Sequence, residues 1–151
     1  MAPDEILEQY ASGKRDFSGA NLSGTCLYGA DLRGANLRKT CLDPNNVITP
    51  DESAILAAGM TIEDGYVHGW RTAKSQHCGA QEYAPGGHYV APYFSTDTAT
   101  ACHPGIYLHG KKWVQDEYPN EPLVAVRSLL AETVHASGKF RAKQIWGEEA
   151  L

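Results

Sequence analysis

Cysteine and histidine side chains suggest the most direct chemistry in this chain, because both residue types bind transition metals. His77 and Cys78 form one adjacent pair, and Cys102 and His103 form a second. Four such ligands complete a structural zinc site, but the paired ligands are usually about two to four residues apart. Adjacent residues of a strand point to opposite faces. We therefore expect no metal site, and a zinc site formed by these four residues is the alternative.

A second set of residues could support group transfer. Arg71 lies at the end of one predicted strand, Ser95 and Thr96 follow another, and Glu132 or Glu148 lies late in the chain. This order resembles one class of ADP-ribosyltransferases. The resemblance implies that Arg71 holds a cofactor phosphate or ribose, that Ser95 and Thr96 shape a nicotinamide pocket, and that the glutamate polarises the ribose. A carboxylate stabilises an oxocarbenium-like transition state, and arginine binds phosphate through two donors.

The same residues also have a structural interpretation. Ser95, Thr96 and Asp97 are typical of a turn closed by side-chain-to-backbone hydrogen bonds, and Arg71 would then cap a sheet edge. The sequence contains no Gly-x-Ser-x-Gly motif, phosphate loop or dinucleotide fingerprint. We therefore expect a non-enzymatic protein without a cofactor. A transferase is the alternative, and its catalytic residues would be Arg71, Ser95, Thr96 and Glu132.

The elements that position these residues begin with a five-residue repeat at residues 15–44. All six units carry a large apolar residue in the middle, and five of the six carry a small residue two positions earlier. The middle residues are Phe17, Leu22, Leu27, Leu32, Leu37 and Leu42. Helices repeat about every 3.6 residues and strands every 2, so a period of five requires a chain that turns a corner once per unit.

These units resemble the pentapeptide-repeat family, whose members follow Ala-(Asp/Asn)-Leu-x-x and form a right-handed, four-sided β-helix. The resemblance implies a quadrilateral β-helix of about one and a half coils at residues 15–44. Side chains four units apart, such as Phe17 and Leu37, would stack at the strand spacing of about 4.8 Å. Leu27 and Leu32 would have no coil above them, so other structure must cover them.

We expect helices on both sides of the repeat. The family resemblance implies a capping helix in residues 1–14. Beyond the repeat, Thr49 as N-cap and Glu52 in a capping box predict a helix that stops at Gly59. Its apolar side chains would cover the open end of the repeat. Residues 45–60 are therefore interpreted as a capping helix and linker.

The composition changes near residue 60, beyond which all histidines and most aromatic residues lie. Runs of aromatic and β-branched residues between turns predict strands at residues 66–71, 88–94, 105–109, 122–127 and 139–146. Residues 128–136 fit either a helix or a bent pair of strands. The predicted fold class is α+β, in which the short β-helix precedes a small domain, residues 61–151, with a mostly antiparallel sheet.

A second signature lies within residues 65–147. It reads Cys-x-x-Gly-Ile-Tyr at residues 102–107 and Gly-Lys-Phe-Arg at residues 138–141. These motifs resemble a domain of unknown function in phage and bacterial proteins, where it often follows pentapeptide repeats directly. The resemblance implies a phage or bacterial accessory protein without established chemistry.

The overall composition narrows the function classes. The chain has 151 residues, a net charge of −5 and no apolar stretch of about 20 residues, so we expect neither nucleic-acid binding nor a membrane span. Four scattered cysteines predict reduced thiols. The acidic start lacks signal-peptide features. We therefore expect a cytoplasmic or virion location.

Some proteins of the repeat family resemble DNA and inhibit gyrase, which requires acidic faces. Residues 13–44 carry five basic and three acidic residues, so DNA mimicry is not expected here. We expect protein–protein interaction instead, in a structural or assembly role, with capsid or tail proteins or with a second copy. The outer positions that would contact a partner are Asn21, Tyr28, Arg33, Asn36 and Arg38.

Overall fold

The computed structural model describes residues 3–22, 31–75, 81–99 and 104–149, and every structural statement below concerns these residues. They form three short α-helices, one 3₁₀ turn and eight β-strands. All strand pairs between named strands are antiparallel. The prediction of a mixed α and β chain with antiparallel sheets is confirmed.

The elements occur in the following chain order: α1 (Pro3–Ala11), α2 (Glu52–Ala57), β1 (Thr61–Glu63), β2 (Tyr66–Thr72), β3 (His88–Val90), β4 (Ile106–Leu108), α3 (Lys111–Glu117), β5 (Leu123–Leu129), the 3₁₀ turn (Leu130–Glu132), β6 (Thr133–Ala136), β7 (Lys139–Ala142) and β8 (Gln144–Gly147). None of the described helices is long and apolar enough to cross a membrane.

Five strands form one sheet in the order β1–β2–β5–β8–β3, and β2 pairs with β5 along its whole length. Every second residue of β5 is buried, namely Val124, Val126 and Ser128. This alternation arises because successive side chains of a strand point to opposite faces. One face of the sheet therefore lies in the core, and the other face is turned outward.

Three further strands form a second sheet in the order β4–β7–β6. The two sheets meet where Trp70 and His109 exchange backbone hydrogen bonds of 2.8 and 2.9 Å. Lys143 alone separates β7 from β8, so the chain passes directly from one sheet to the other. Both sheets contribute to one apolar core, in which Val67 and Ile145 have no exposed surface.

The strand predictions were partly correct. The strand predicted at residues 66–71 is present as β2, but the one predicted at 139–146 is two strands in different sheets. Residues 128–136 adopt the second of the two alternatives, since a 3₁₀ turn joins the ends of two strands there. The predicted strand at 88–94 ends at Val90, and helix α3 was not predicted.

Helix α2 begins later than predicted. Its N-cap is Asp51 and not Thr49, because the Asp51 carboxylate accepts the backbone N–H of Ala54 at 3.1 Å. Its buried residue, Ile55, packs in the core between the two sheets. We expected this helix to cover the open end of the repeat, but its buried side chain packs between the sheets instead.

In the repeat, the chain returns alongside itself four units later. Asp16 and Asn36 form a parallel bridge, and the backbone N–H of Phe17 donates to the carbonyl of Asn36 at 2.9 Å. The apolar middle residues of the described units form a separate core together with Ile6 of α1. The buried members of this repeat core are Ile6, Phe17, Leu22, Leu32 and Leu42.

The second residue of three described units makes the same hydrogen bond. Its side-chain oxygen accepts the backbone N–H two residues later, at 3.0 to 3.1 Å, in the pairs Asp16–Ser18, Asp31–Arg33 and Asn36–Arg38. Short polar side chains stabilise tight turns in this way. The Asp/Asn position of the repeat therefore forms the corner that the five-residue period predicts.

Residues 93–96, which lie beyond the repeat, connect it to the rest of the chain. The Tyr93 hydroxyl accepts the backbone N–H of Leu32 at 2.9 Å, and its ring packs against the repeat core. The N–H of Thr96 donates to the Cys41 carbonyl at 2.8 Å, and the Asn46 amide donates to the Thr96 hydroxyl at 3.0 Å. Tyr93 thus packs on the repeat core, where α2 was expected to lie.

Candidate functional site

The outward face of the five-stranded sheet carries a row of polar and aromatic side chains across four strands. His68 on β2 is paired with Arg127 on β5, Arg127 with Trp146 on β8, and Trp146 with His88 on β3. All are partly or fully exposed. We refer to His68, Arg127, Trp146 and His88, together with Tyr66, as the cross-strand row.

The side chains of the cross-strand row pack on one another. The Arg127 guanidinium lies 5.2 Å from the ring centre of Tyr66 and 5.6 Å from that of Trp146. The Tyr66 and Trp146 rings meet edge to face at 5.8 Å, and the His88 ring stacks on Trp146 at 4.8 Å. Contacts of a cation with aromatic rings contribute about 0.5–1 kcal/mol at exposed sites. The side chains of the row therefore hold one another in place.

Polar neighbours orient both histidines of the row. His68 Nδ1 lies 2.5 Å from Glu148 Oε1, and each of these side chains is less than a third exposed. At the other end, His88 Nε2 donates to Gln144 Oε1 at 2.8 Å, and the Gln144 amide donates to Glu132 Oε1 at 2.9 Å. Glu132 therefore lies at the end of this hydrogen-bonded row.

Arg71 lies in a different place, in a cleft of about 100 Å³ whose walls come from β2, β4, α3 and β7. Its Nε donates to the carbonyl of Thr72 and its Nη1 to that of Tyr107, both at 3.0 Å. Its guanidinium stacks on the Tyr83 ring at 3.8 Å. These contacts fix the guanidinium in the cleft wall.

His109 forms another part of this wall and is held as a neutral imidazole. Its Nε2 donates to the Gly138 carbonyl at 3.0 Å, and its Nδ1 accepts the N–H of Gly110 at 2.8 Å. Burial lowers the pKa of His109, and the nearby His135 lowers it further, while the Gly138 carbonyl opposes the change. The ring stacks on the Trp113 indole at 4.3 Å.

Ser95 and Thr96 lie in the segment at residues 93–96 that connects the repeat to the sheets, which we call the joint. Ser95 has no exposed surface, and its hydroxyl accepts the N–H of Asp97 at 3.2 Å. This is the side-chain-to-backbone hydrogen bond of a turn, as the structural alternative to the transferase predicted. Arg141, only 1% exposed, donates to the carbonyls of Ser95 and Asp97. Gly105, at φ +146, makes room for Arg141, because a Cβ there would lie 2.5 Å from its Cγ.

The candidate transferase residues therefore occupy three separate places. Arg71 lies in the cleft, Ser95 and Thr96 lie in the joint, and Glu132 lies at the end of the cross-strand row. Of the described residues, those that line the cleft with Arg71 include none of the other three. The structure does not gather these residues around a common cleft.

The predicted contact residues of the repeat are exposed where they are described. Arg33 is paired with Asp31 at 2.8 Å, although its side chain is 86% exposed. The Asn36 side chain is engaged in a corner, since its oxygen accepts the N–H of Arg38. Asn21 and Arg38 are exposed. Tyr28 lies outside the described residues.

The proposed zinc ligands His77, Cys78, Cys102 and His103 also lie outside the described residues. Within the described ranges, no three or more histidine, cysteine, aspartate or glutamate side chains are grouped as a metal site requires. Cys41 is a half-buried thiol beside Ser95 that forms no disulfide among the described residues, and burial raises its pKa. A raised pKa makes a thiol less reactive, because the thiolate is the nucleophile.

Comparison with known proteins identifies one part of the chain. Residues 16–43 match the family described as pentapeptide repeats (8 copies). This segment contains the corners and the parallel bridge described above, so the resemblance of these residues to pentapeptide repeats is confirmed. No curated protein and no solved structure matches the chain. The resemblance of residues 65–147 to a phage domain stays a prediction.

The cross-strand row was not predicted as a site. Its signal in the sequence is the alternation of Tyr66, His68 and Trp70 in one strand, which places three polar or aromatic side chains on one face. Arg127 and Trp146 come close to them only through the strand order β2–β5–β8, and neighbouring positions in the sequence do not reveal this order.

Proposed function

We propose that this protein is a non-enzymatic protein-binding module and that the cross-strand row is its contact surface. The observation that carries this proposal is the contact of Arg127 with the rings of both Tyr66 and Trp146 on an open sheet face. Tyrosine, tryptophan and arginine dominate the binding energy of protein interfaces. Side chains that already pack on one another lose less conformational freedom when they bind.

The partner suited to this surface is a protein with exposed carboxylates next to apolar side chains. Among the described residues, Arg127 forms no ion pair, so its charge is available to a partner carboxylate. Val90 on the neighbouring edge strand is 58% exposed and offers an apolar contact beside the row. An arginine guanidinium forms a charge-assisted hydrogen bond with a carboxylate.

The repeat supplies a rigid base for this surface. We propose that residues 15–44 form a right-handed quadrilateral β-helix of about one and a half coils. The parallel bridge between Asp16 and Asn36 and the repeated corner hydrogen bonds support this geometry. Arg33 and Arg38 on its surface would form a second, weaker contact area.

The biological setting is proposed on the sequence alone. An accessory role in phage or bacteria, with capsid or tail proteins as partners, is supported by the motifs at residues 102–107 and 138–141. The cytoplasmic or virion location is proposed on the acidic start and the scattered cysteines as well. Self-association is the alternative partner choice. The proposed contact surface is the cross-strand row in both cases, whether the partner is a capsid or tail protein or a second copy.

The test is quantitative capture of partners from the native source with the full chain. Replacing Arg127 by glutamate reverses the charge at the centre of the row, and Arg38→Glu makes the same change on the repeat. We expect Arg127→Glu to reduce capture of the main partner about ten-fold or more and Arg38→Glu to leave most of it. Sedimentation velocity of the purified protein tests a second copy as the partner.

Equal capture by the wild type and Arg127→Glu would refute the row as the contact surface, provided that both melt at similar temperatures. NAD hydrolysis that is lost in Arg71→Ala would instead favour the transferase alternative. The matched variant Arg38→Glu separates a local effect at the row from a general effect of added negative charge.

A further inference from the structure

The Arg71 cleft has the composition of a ligand site, separate from the cross-strand row. Six aromatic side chains line it, namely Trp70, Tyr83, Tyr107, Trp113, Tyr118 and Phe140. Its volume is about 100 Å³, and about 10–15 Å³ of such space is enough for one water molecule. The cleft therefore has room for part of a small organic molecule.

The charge in the cleft is opposite in sign to that of the whole protein. The chain has 18 acidic and 13 basic residues, yet the described cleft lining contains Arg71 and Lys139 and no aspartate or glutamate. A concave surface with one sign of charge and apolar walls concentrates the electrostatic field. This field favours an anion.

Arg71 is prepared for such an anion by its own contacts. The carbonyls of Thr72 and Tyr107 and the Tyr83 ring hold its guanidinium in one orientation. Two of its donors are used by these carbonyls, so Arg71 contributes chiefly a fixed positive charge to the cleft, and a guanidinium stays charged at any pH of interest. Lys139 lines the same cleft and forms no ion pair within the described part of the chain.

The remaining walls suit a planar ring. His109 and Trp113 stack nearly parallel, with 13° between their planes, so this wall is aromatic and uncharged. Aromatic walls bind planar rings by offset stacking or by edge-to-face contact.

We propose that the cleft binds a small anion that carries a planar ring, with its carboxylate or phosphate at Arg71 and Lys139 and its ring against the aromatic walls. Nucleoside monophosphates and aromatic carboxylates share this chemistry. The site lies apart from the cross-strand row, so its occupancy is a property additional to protein binding.

Four probes separate the anion from the ring and the phosphate from the carboxylate. Binding of adenosine 5′-monophosphate, benzoate, adenosine and inorganic phosphate to the full chain is measured by calorimetry and by quenching of tryptophan fluorescence. We expect adenosine monophosphate or benzoate to bind about ten-fold or more tightly than adenosine and inorganic phosphate. Which of the first two binds better identifies the anionic group.

A lysine pair tests the location. Lys139→Gln removes a cleft charge and should weaken binding of the best probe about ten-fold. The matched control is Lys112→Gln, because Lys112 is 88% exposed on α3 and pairs with Asp116 outside the cleft. It should leave binding unchanged. Arg71→Gln should abolish binding, and Lys139→Gln keeps the test decisive if that variant misfolds.

The proposal is overturned if none of the four probes binds, if adenosine binds as tightly as its monophosphate and benzoate binds no better, or if Lys139→Gln and Lys112→Gln behave alike. Arg127→Glu should not alter binding of the probes. Failure of the cleft proposal and failure of the protein-binding proposal are therefore distinguishable.

Discussion

The buried Arg141 holds the turn that contains Ser95 and Thr96 in place. Its side chain is almost fully enclosed and donates to the carbonyls of Ser95 and Asp97. A buried charge is tolerated only when polar partners replace the lost water. These carbonyls supply that replacement and fix the turn, and Thr96 in turn binds the repeat. Here Ser95 and Thr96 are part of a structural joint.

His109 is the residue whose protonation should reduce stability as the pH falls. Burial lowers its folded-state pKa below the usual 6.5, and protonation of Nδ1 would break the hydrogen bond from Gly110. Between these two pKa values the unfolded chain binds a proton that the folded chain does not. The stabilisation is therefore complete above 6.5 and is lost as the pH falls through the folded-state pKa.

Urea unfolding at several values between about pH 5 and pH 8 measures this effect. His109→Gln should lack this part of the pH dependence, although its free energy of unfolding is lower throughout. Val90→Ala, at an exposed position without a titratable group, is the control and should keep the wild-type slope. The same slope in the wild type and His109→Gln would contradict the prediction.

Tyr93 links two elements, and its hydroxyl should contribute measurably to stability. Tyr93→Phe removes the acceptor of the Leu32 N–H while it keeps the ring that packs on the repeat core. We expect the free energy of unfolding to fall by about 1–2 kcal/mol, since an unsatisfied buried donor costs this much. Urea unfolding measures it. Tyr66→Phe on the exposed row should change it by less than about 0.5 kcal/mol. Equal losses in both variants would contradict this role.

At the scale of elements, sequence alternation located strands but not their partners. The strand β2 was predicted within one residue because it is rich in aromatic and β-branched residues, namely Tyr66, Val67, Trp70 and Thr72. The strand predicted at 139–146 was divided at Lys143, because β7 pairs with β4 and β6 whereas β8 pairs with β5 and β3. Helix α3 was missed because its N-cap, Gly110, makes no side-chain hydrogen bond that would mark its start.

The candidate sites depend on the same long-range pairing. Tyr66 and Trp146 lie far apart in the sequence, and they meet because β5 lies between β2 and β8. Likewise, the Arg71 cleft requires β4 to reach β2 at the bridge between Trp70 and His109. A single sequence contains the residues of both sites, but the pairing that assembles them is decided by packing of the whole core.

At the scale of the whole molecule, the repeat and the sheets have separate cores that are joined by hydrogen bonds. The repeat core and the sheet core share no buried residue. Hydrogen bonds cross between the two parts from Thr96 to Cys41, from Asn46 to Thr96, and from Leu32 to Tyr93, and the Tyr93 ring packs on the repeat core. When either part unfolds, the other part loses these crossing contacts at the same time.

We therefore expect the repeat and the sheets to unfold in one transition. The three tryptophans, Trp70, Trp113 and Trp146, all lie in the sheet part or on α3, so their fluorescence in urea reports on that part. Amide exchange at Phe17 and Gly19, whose N–H groups donate within the repeat, reports on the other. The two free energies should agree, as two-state unfolding requires.

Asn46→Ala should lower both free energies by about 1 kcal/mol, because it removes a side-chain bond across the joint. Asn45→Ala, one residue earlier and exposed, is the matched control. If the amides of Phe17 and Gly19 exchange at a much lower free energy than the fluorescence transition, the repeat opens independently. The crossing hydrogen bonds would then be too weak to couple the two cores. The repeat would unfold before the sheet that carries the cross-strand row.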